Sequence, residues 1–568
     1  MDYKNIRGIN FLRLRGTEAE RARAHGVLLK EKIANGAIPF LAKKNELLIR
    51  RSPGIIQKKP AQASIIWFYN NVLIPYLQRK SSVESRAVLQ ALATESGISY
   101  EDYLKSLLQP DAFMLLCRTS VMKYLLGDLP VSALPACTSA VTLANWNASK
   151  RLLVCRNQDY PVVGPWEKNT TVLFNEPTEK NHVPFISITT AGLHSGGLTS
   201  MNREGLTLAL HAHFGRNISL KGTPIVEIGN AIIREAKTLG EAVDIASRFK
   251  TYANWAFVIS SAKENDAAVL EITPSKTRVR HAEDGFLAHT NFFHSPELHK
   301  EEALISGAYA EDLHGRLNGI YQSLKPNRGE LEPRHMTSAL GSQIDPQTGQ
   351  ERVIGNTVSV ITTIKSAVFD PGAQKFWVSC RQESPTGLGD FLEINADTFW
   401  KNENYSEDLW PSLPGYHPKD STLIEGVRSY RVAYQSYHME SDHPGYLLRT
   451  YESLQKAAKL YPADGNIWVQ KAILAVKLHR FKEARQFLEK TLDLILTPHI
   501  TNVRNLYIAR CLDIEKDRQA ALLLYSQWET VNDPSLRQAM FKGLKKPYRA
   551  KDTQSMMIDL QFPDTFHY

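Results

Sequence analysis

From Cys137 to about Trp400 the chain passes through a series of short β-branched or aromatic runs, and on either side of that stretch its apolar residues recur at helical spacing. The strand-like runs are Thr171–Phe174, Phe185–Ile188, Leu206–Leu210, Ala256–Ile259, Ala268–Ile272 and Val358–Ile361. Turn formers such as Asn202-Arg203-Glu204-Gly205 punctuate them. Helical patterns from Ile225 to Lys237, Leu239 to Phe249 and Asp312 to Leu324 interrupt the strands. Strands, paired helices and strands again predict sheets covered by helices, an α+β sandwich. A chain of 568 residues is too long for one core. The expected division is a mainly helical segment 1–136, a central body 137–410, a linker 411–425 and an all-helical part 426–568.

The flanks carry their own signals. Thr17 is an N-cap candidate with Glu20 placed for a capping box. A helix is expected from Val83 to Glu95, ended by Gly97, and another from a Ser99 cap to Leu108, before Pro110. Near Pro411–Pro418 the chain becomes rich in Pro, Gly and Trp, as linkers are. Beyond it, Trp468, Ala472, Ala484 and Leu488 fall at tetratricopeptide-type spacings, with a weaker copy through Leu506, Ala509, Ala520 and Leu524. Plain stacked helical hairpins fit the same spacing. If it is a repeat array, its concave face is a candidate surface for a peptide or protein partner.

Composition narrows the function. The net charge of +9 is spread without a dense basic block, so nucleic acid is not implied. Five cysteines without metal-type spacing argue against a disulfide framework or a zinc site, and no cofactor or metal is expected. The first residues lack the apolar core of a secretory signal, and the longest apolar run, Ile65 to Leu77, is broken by Asn70, Asn71 and Pro75. No membrane span and a cytoplasmic protein are therefore expected.

The chemistry concentrates at Ala136-Cys137-Thr138-Ser139, followed by Arg156-Asn157-Gln158-Asp159. Two apolar runs, Val141-Thr142-Leu143 and Leu152-Leu153-Val154, flank a turn at Asn145–Lys150. The pattern predicts a hairpin that returns Arg156 and Asp159 to Cys137. A thiol beside a cation and a carboxylate has the makings of an activated nucleophile. The same residues also suit a buried cysteine beside an ordinary ion pair.

Four stretches in order bear a resemblance to a known family. They are Leu14–Arg21 with Gly26, Leu92–Ile98, the Cys137 hairpin, and His289-Thr290-Asn291-Phe292-Phe293. Over roughly residues 10–400 the chain resembles the acyl-coenzyme A:isopenicillin N acyltransferase family of N-terminal-nucleophile hydrolases, and is similar also to choloylglycine hydrolases and acid ceramidase. Ala136 stands where the family often has glycine, and Phe292 where it often has histidine. The helical tail lies outside the resemblance.

The resemblance implies a four-layer αββα sandwich and a precursor cut between Ala136 and Cys137. Cys137 would then supply both thiol and base, with Asp159 holding the amine and Arg156 against the thiolate or the substrate's carboxylate. Asn291 would donate to the oxyanion, together with a backbone N–H near His211–His213. His211, His213, Trp255 and Phe292 would line the substrate, a small-molecule amide or N-acyl compound. Hydrolysis of a linear amide is the first expectation and acyl transfer to an amine the second. A different class, a helical-repeat adaptor with a degenerate hydrolase body, stays open. A papain-like protease is disfavoured because the Cys137 neighbourhood lacks that family's helix-opening context.

Overall fold

The computed structural model describes residues 3–51, 58–118, 135–303, 306–400 and 410–565. Among the described residues, sixteen strands make the two large sheets. In the first, β1 (Tyr3–Ile6), β2 (Ile9–Gly16), β5 (Thr170–Pro177), β6 (Phe185–Thr190), β7 (Thr199–Asn202), β8 (Leu206–His213), β9 (Asn254–Ser261), β10 (Asp266–Ile272) and β11 (Thr277–His281) lie side by side in that order. The second has the order β12 (Phe286–His289), β3 (Ala136–Thr142), β4 (Leu153–Asp159), β13 (Thr363–Asp370), β14 (Lys375–Ser379), β15 (Phe391–Asn395) and β16 (Ser412–Leu413).

The sheets face each other across one apolar layer. Residue parity decides which side chains enter it. Val141, Val154, Ala209, Val258 and Phe369 meet there. Their neighbours Ala140, Cys155 and Val368 turn outward onto helices Gly307–Leu324 and Pro333–Leu340. Leu208, Leu210, Phe257 and Leu270 turn the other way, onto helices Ile225–Glu235 and Leu239–Ser247. This is the helix–sheet–sheet–helix sandwich expected.

The other helices used below are α1 (Glu18–Leu28), α2 (Val83–Ser96) and α3 (Tyr100–Arg118). The sandwich helices are α4 (Ile225–Glu235), α5 (Leu239–Ser247), α6 (Gly307–Leu324) and α7 (Pro333–Leu340). The C-terminal part holds α8 (Thr422–His438), α9 (Tyr446–Leu460), α10 (Gly465–Lys477), α11 (Phe481–Glu489), α12 (Pro498–Ile514), α13 (Arg518–Tyr525) and α14 (Pro534–Lys545).

Several local signals read as expected. Thr17 and Glu20 close a capping box on α1, and Gly97 ends α2 at φ 77°. Three expectations need correction. Residues 3–16 form strands, and β2 runs parallel to β5, with Leu12 opposite Leu173. The N-terminal segment is thus woven into the first sheet. Helix α3 continues through Pro110, because its following turns bury Ala112, Phe113, Leu115 and Leu116. Val358–Ile361 forms no strand; Asn157 Nδ2 binds Val358 O and Gln343 Nε2 binds Ser359 O, so side chains satisfy that backbone.

The C-terminal helices are anchored to the sandwich rather than tethered to it. Asp464, fully buried, accepts the Val353 N–H at 2.7 Å and lies 3.4 Å from Arg352. Arg431 reaches Glu167 at 3.1 Å. Asp533 accepts the Gly307 N–H at 2.7 Å, and Thr497 donates to Glu311, so α6 is held from outside. Among the described residues, no helix is long and apolar enough to cross a membrane.

Candidate active site

The hairpin forms as the sequence predicts. Strands β3 and β4 pair antiparallel, with Ser139 opposite Arg156 and Ala136 opposite Asp159. Asn147 pins the connection, its amide donating to Thr142 O, Leu143 O and Arg151 O while its own oxygen accepts from Thr142 Oγ1. The strand alternation sends Cys137, Ser139 and Arg156 into the gap between sheets, and Thr138, Asn157 and Asp159 toward the helix layer.

Cys137 is buried, and each of its polar atoms meets a different partner. Its N–H donates to Asn291 Oδ1 at 2.8 Å. Its carbonyl accepts from Arg316 Nη1 at 2.7 Å. Its sulfur lies 3.4 Å from Arg156 Nη2 and near the Asp159 backbone N–H. Arg156 cannot swing, because the carbonyls of Leu210 on β8 and of Leu198, just before β7, each hold it at 2.6 Å. Asn291 is equally fixed: its Nδ2 donates to Ala212 O at 2.9 Å. Here Asn291 therefore serves the Cys137 nitrogen as an acceptor, with one of its two amide N–H groups committed to Ala212 O.

Arg316, on α6, is the residue that sequence reasoning missed. It contacts Cys137 O, Thr138 Oγ1 (3.1 Å) and Asn291 Oδ1 (3.3 Å). On its other side Asp312 binds it at 2.8 Å, and Asp159 Oδ2 lies 3.9 Å away. Asp159 Oδ1 accepts from Thr363 Oγ1 at 2.7 Å. The only sequence signal was an Asp-x-x-x-Arg pair on one face of a helix, which is common on any surface helix.

Burial pushes the Cys137 thiol up, with Arg156 opposing it. Burial also raises Asp159 to about 6, against the pull of Arg316 and Thr363. Burial opposes the charge of Arg316, but Asp312 and Asp159 outweigh it and hold the guanidinium above its usual value. Asp159 thus has a higher pKa folded than unfolded. Its stabilising proton is fully present below about pH 3.8 and is lost as pH rises through about 6. Asp159→Asn removes that titration. Its stability relative to wild type should therefore rise between pH 5 and pH 8, by about 1.4 kcal/mol. Calorimetry at both pH values checks this; a difference that stays flat would mean the carboxylate does not titrate there.

The candidate substrate residues divide. His211 and His213 share the inner face of β8, as their spacing predicts; His211 Nε2 lies 2.8 Å from Ser139 Oγ, and His213 pairs with His289 at 2.8 Å. Burial keeps His211 and His289 far below the usual imidazole value and His213 at about 3. Phe292 follows Asn291 but stacks on His294, 4.4 Å between centroids. Trp255 is a correction. It lies on the outer face of β9, packed with Leu210, Phe214 and Phe113 of α3, and so points away from the Cys137 face. Among the described residues no cluster of three or more His, Cys, Asp or Glu could hold a metal ion.

A family model described as "Acyl-coenzyme A:6-aminopenicillanic acid acyl-transferase" matches residues 146–385. The span includes Arg156, Asp159, Asn291 and Arg316 and begins after Cys137. Among solved structures, a mutant conjugated bile acid hydrolase from Clostridium perfringens is 12% identical, covering 49% of this chain and 97% of that one, with a TM-score of 0.30. A second variant of the same enzyme is 10% identical, covering 50% and 90%, with a TM-score of 0.23. Desmoglein-1-gamma of Mus musculus is 24% identical over 151 residues, which are 26% of this chain and 16% of that protein's length. Residues 146–385 are thus similar to this acyl-transferase family, and they lie in a body of two helix-covered sheets, an N-terminal-nucleophile-hydrolase-like sandwich.

Proposed function

We propose that the protein is a cysteine amidase of the N-terminal-nucleophile type, activated by cutting itself between Ala136 and Cys137. The observation that carries this reading is the separate anchoring of the Cys137 nitrogen, carbonyl and sulfur by Asn291, Arg316 and Arg156. In the cut, Sγ attacks the Ala136 carbonyl carbon. The C–N bond breaks, the thiol proton passes to the departing nitrogen, and water hydrolyses the thioester. The products are an Ala136 carboxylate and a free Cys137 amine.

An α-amine has an ordinary pKa near 8, so part of it is neutral at pH 7 and can accept the thiol proton. Asn291 Oδ1 and the Asp159 carboxylate keep that amine beside the sulfur, and Arg156 favours the thiolate. The thiolate then attacks a linear amide, an acyl-enzyme forms with loss of the amine, and water releases the acid. Acceptance of the acyl group by an amine instead of water is the variant that the name of the matching family favours.

Intact-mass measurement tests the first step. Wild-type protein is expected as two chains, ending at Ala136 and beginning at Cys137, and Cys137→Ala as one chain without turnover of N-acyl amides. A wild-type protein that stays whole yet hydrolyses amides would overturn the self-cleavage step.

A further inference from the structure

Residues Lys59–Phe68 and Ile74–Lys80 are α-helical, and the π-helical turn Tyr69–Leu73 joins them into one rod. Ile65, Tyr69, Leu73 and Leu77 are buried in the large apolar core cluster. A spacing of four drifts around an α-helix, and the wider π turn takes up that drift, so one stripe stays inward along the whole rod. The opposite stripe is apolar at its middle as well. Trp67 is 62% exposed, Phe68 41% and Val72 41%. Tyr76 follows them and donates its hydroxyl to Leu220 O at 2.7 Å, which sets Leu220, 54% exposed, beside the rod.

A helix facing water carries polar residues on its outer side, and adjacent Trp and Phe there mark a contact surface. The distribution of charge says what meets it. Between Glu46 and Glu84 the sequence holds six Lys and Arg and no Asp or Glu. Lys58 and Lys59 stand at one end of the rod, Arg79 and Lys80 at the other, and Lys221 follows Leu220; all five are exposed. Among the described residues no carboxylate pairs with any of the five, and Lys80 lies 5.9 Å from the centre of the Tyr76 ring. The acids closest to the rod are engaged elsewhere. Glu46 accepts from Asn70 Nδ2 at 2.9 Å, Glu84 pairs with Arg234 at 3.0 Å, and Glu227 accepts the Ser82 N–H at 3.1 Å.

We infer that this face docks the protein on an anionic lipid bilayer, with the rod lying in the plane of the interface. Trp67, Phe68, Val72 and Leu220 enter the headgroup layer, and the cations at both ends of the rod meet the lipid charges. Trp, Phe and Leu on one side of a helix partition into that layer, and Lys and Arg within a Debye length of an anionic surface are drawn to it. A second copy of the chain fits less well, because packing this face on itself across a two-fold axis brings its cations together.

Co-sedimentation of the full chain with vesicles of phosphatidylcholine alone, and of phosphatidylcholine and phosphatidylserine in equal parts, tests this. W67S/F68S/V72S removes the apolar face, and K59E/K80E reverses one charge at each end of the rod. L448S/L492S/L523S makes the first kind of change at exposed leucines of the C-terminal part. Wild type and the leucine variant should bind the mixed vesicles, less as salt rises, and the phosphatidylcholine vesicles far more weakly. W67S/F68S/V72S should lose about tenfold or more in partition with an unchanged melting temperature, and K59E/K80E should lose the preference for anionic lipid. If the serine variant melts lower, K59E/K80E decides alone. Failure of wild type to sediment with the mixed vesicles, or equal binding by wild type and either face variant, overturns the proposal. So does a wild-type dimer in sedimentation velocity that W67S/F68S/V72S dissociates, because a second copy would then cover the face.

Discussion

Arg316→Met should leave a protein that neither cuts itself nor turns over amides, and that unfolds with about 3–5 kcal/mol less free energy. Arg316 is fully buried between the fully buried Asp312 and Asp159. Removing it strands two carboxylates in a low-dielectric interior and withdraws the donor from the Cys137 carbonyl and the Asn291 oxygen. The double variant Arg316→Met, Asp312→Leu separates the two effects. It should recover much of the stability, since a buried ion pair is replaceable by apolar packing, while remaining uncut. Arg316→Lys keeps the charge without the forked geometry and should fall between. Urea unfolding read beside intact mass decides the matter. A stable, self-cleaving Arg316→Met protein would remove Arg316 from the site.

Truncation after residue 420 should not yield a working sandwich with its docking arm removed; it should yield insoluble or largely unfolded protein. The C-terminal helices cover Val353, Ile354 and Leu388 in one continuous apolar cluster with Leu423, Val427, Tyr430, Leu454 and Ile467. Cutting them away exposes that surface and takes one ionic partner from each of two buried charges, Asp464 from Arg352 and Arg431 from Glu167. It also frees the N-terminal turn of α6, which Asp533 and Thr497 hold, and α6 carries Arg316. Soluble expression and a thermal melt of residues 1–420 check this. A folded fragment with an unshifted melting temperature would show that the helical part is a separable module.

The contrast between these two predictions and the hairpin shows which parts of the site could be read in advance. Cys137, Arg156 and Asp159 belong to one β-turn-β unit, so period-2 alternation and a short loop place them together without help from the rest of the chain. Asn291 lies 154 residues from Cys137 and was visible only as part of a motif. Arg316, 179 residues away, had no motif at all. Trp255 went the wrong way because β9 is buried on both faces, and apolar residues on both sides erase the parity signal that tells inside from outside. β1 and β2 were overlooked for a related reason. Among the described residues β1 pairs only with β2, β2 in turn pairs with β5 more than 150 residues later, and its eight residues with charged Arg13 and Arg15 look no more like strand than loop.

By itself the sequence determined what near neighbours decide: helix caps at Thr17 and Gly97, the alternation of helix and strand, the helical tail, and the hairpin that brings a thiol to an arginine and an aspartate. Only the tertiary structure decided which distant groups close around that thiol, that the N-terminal strands belong to the first sheet, and that the tail braces α6. Local periodicity is written in every few residues, whereas the pairing of buried charges and sheet edges depends on packing between segments far apart in the chain.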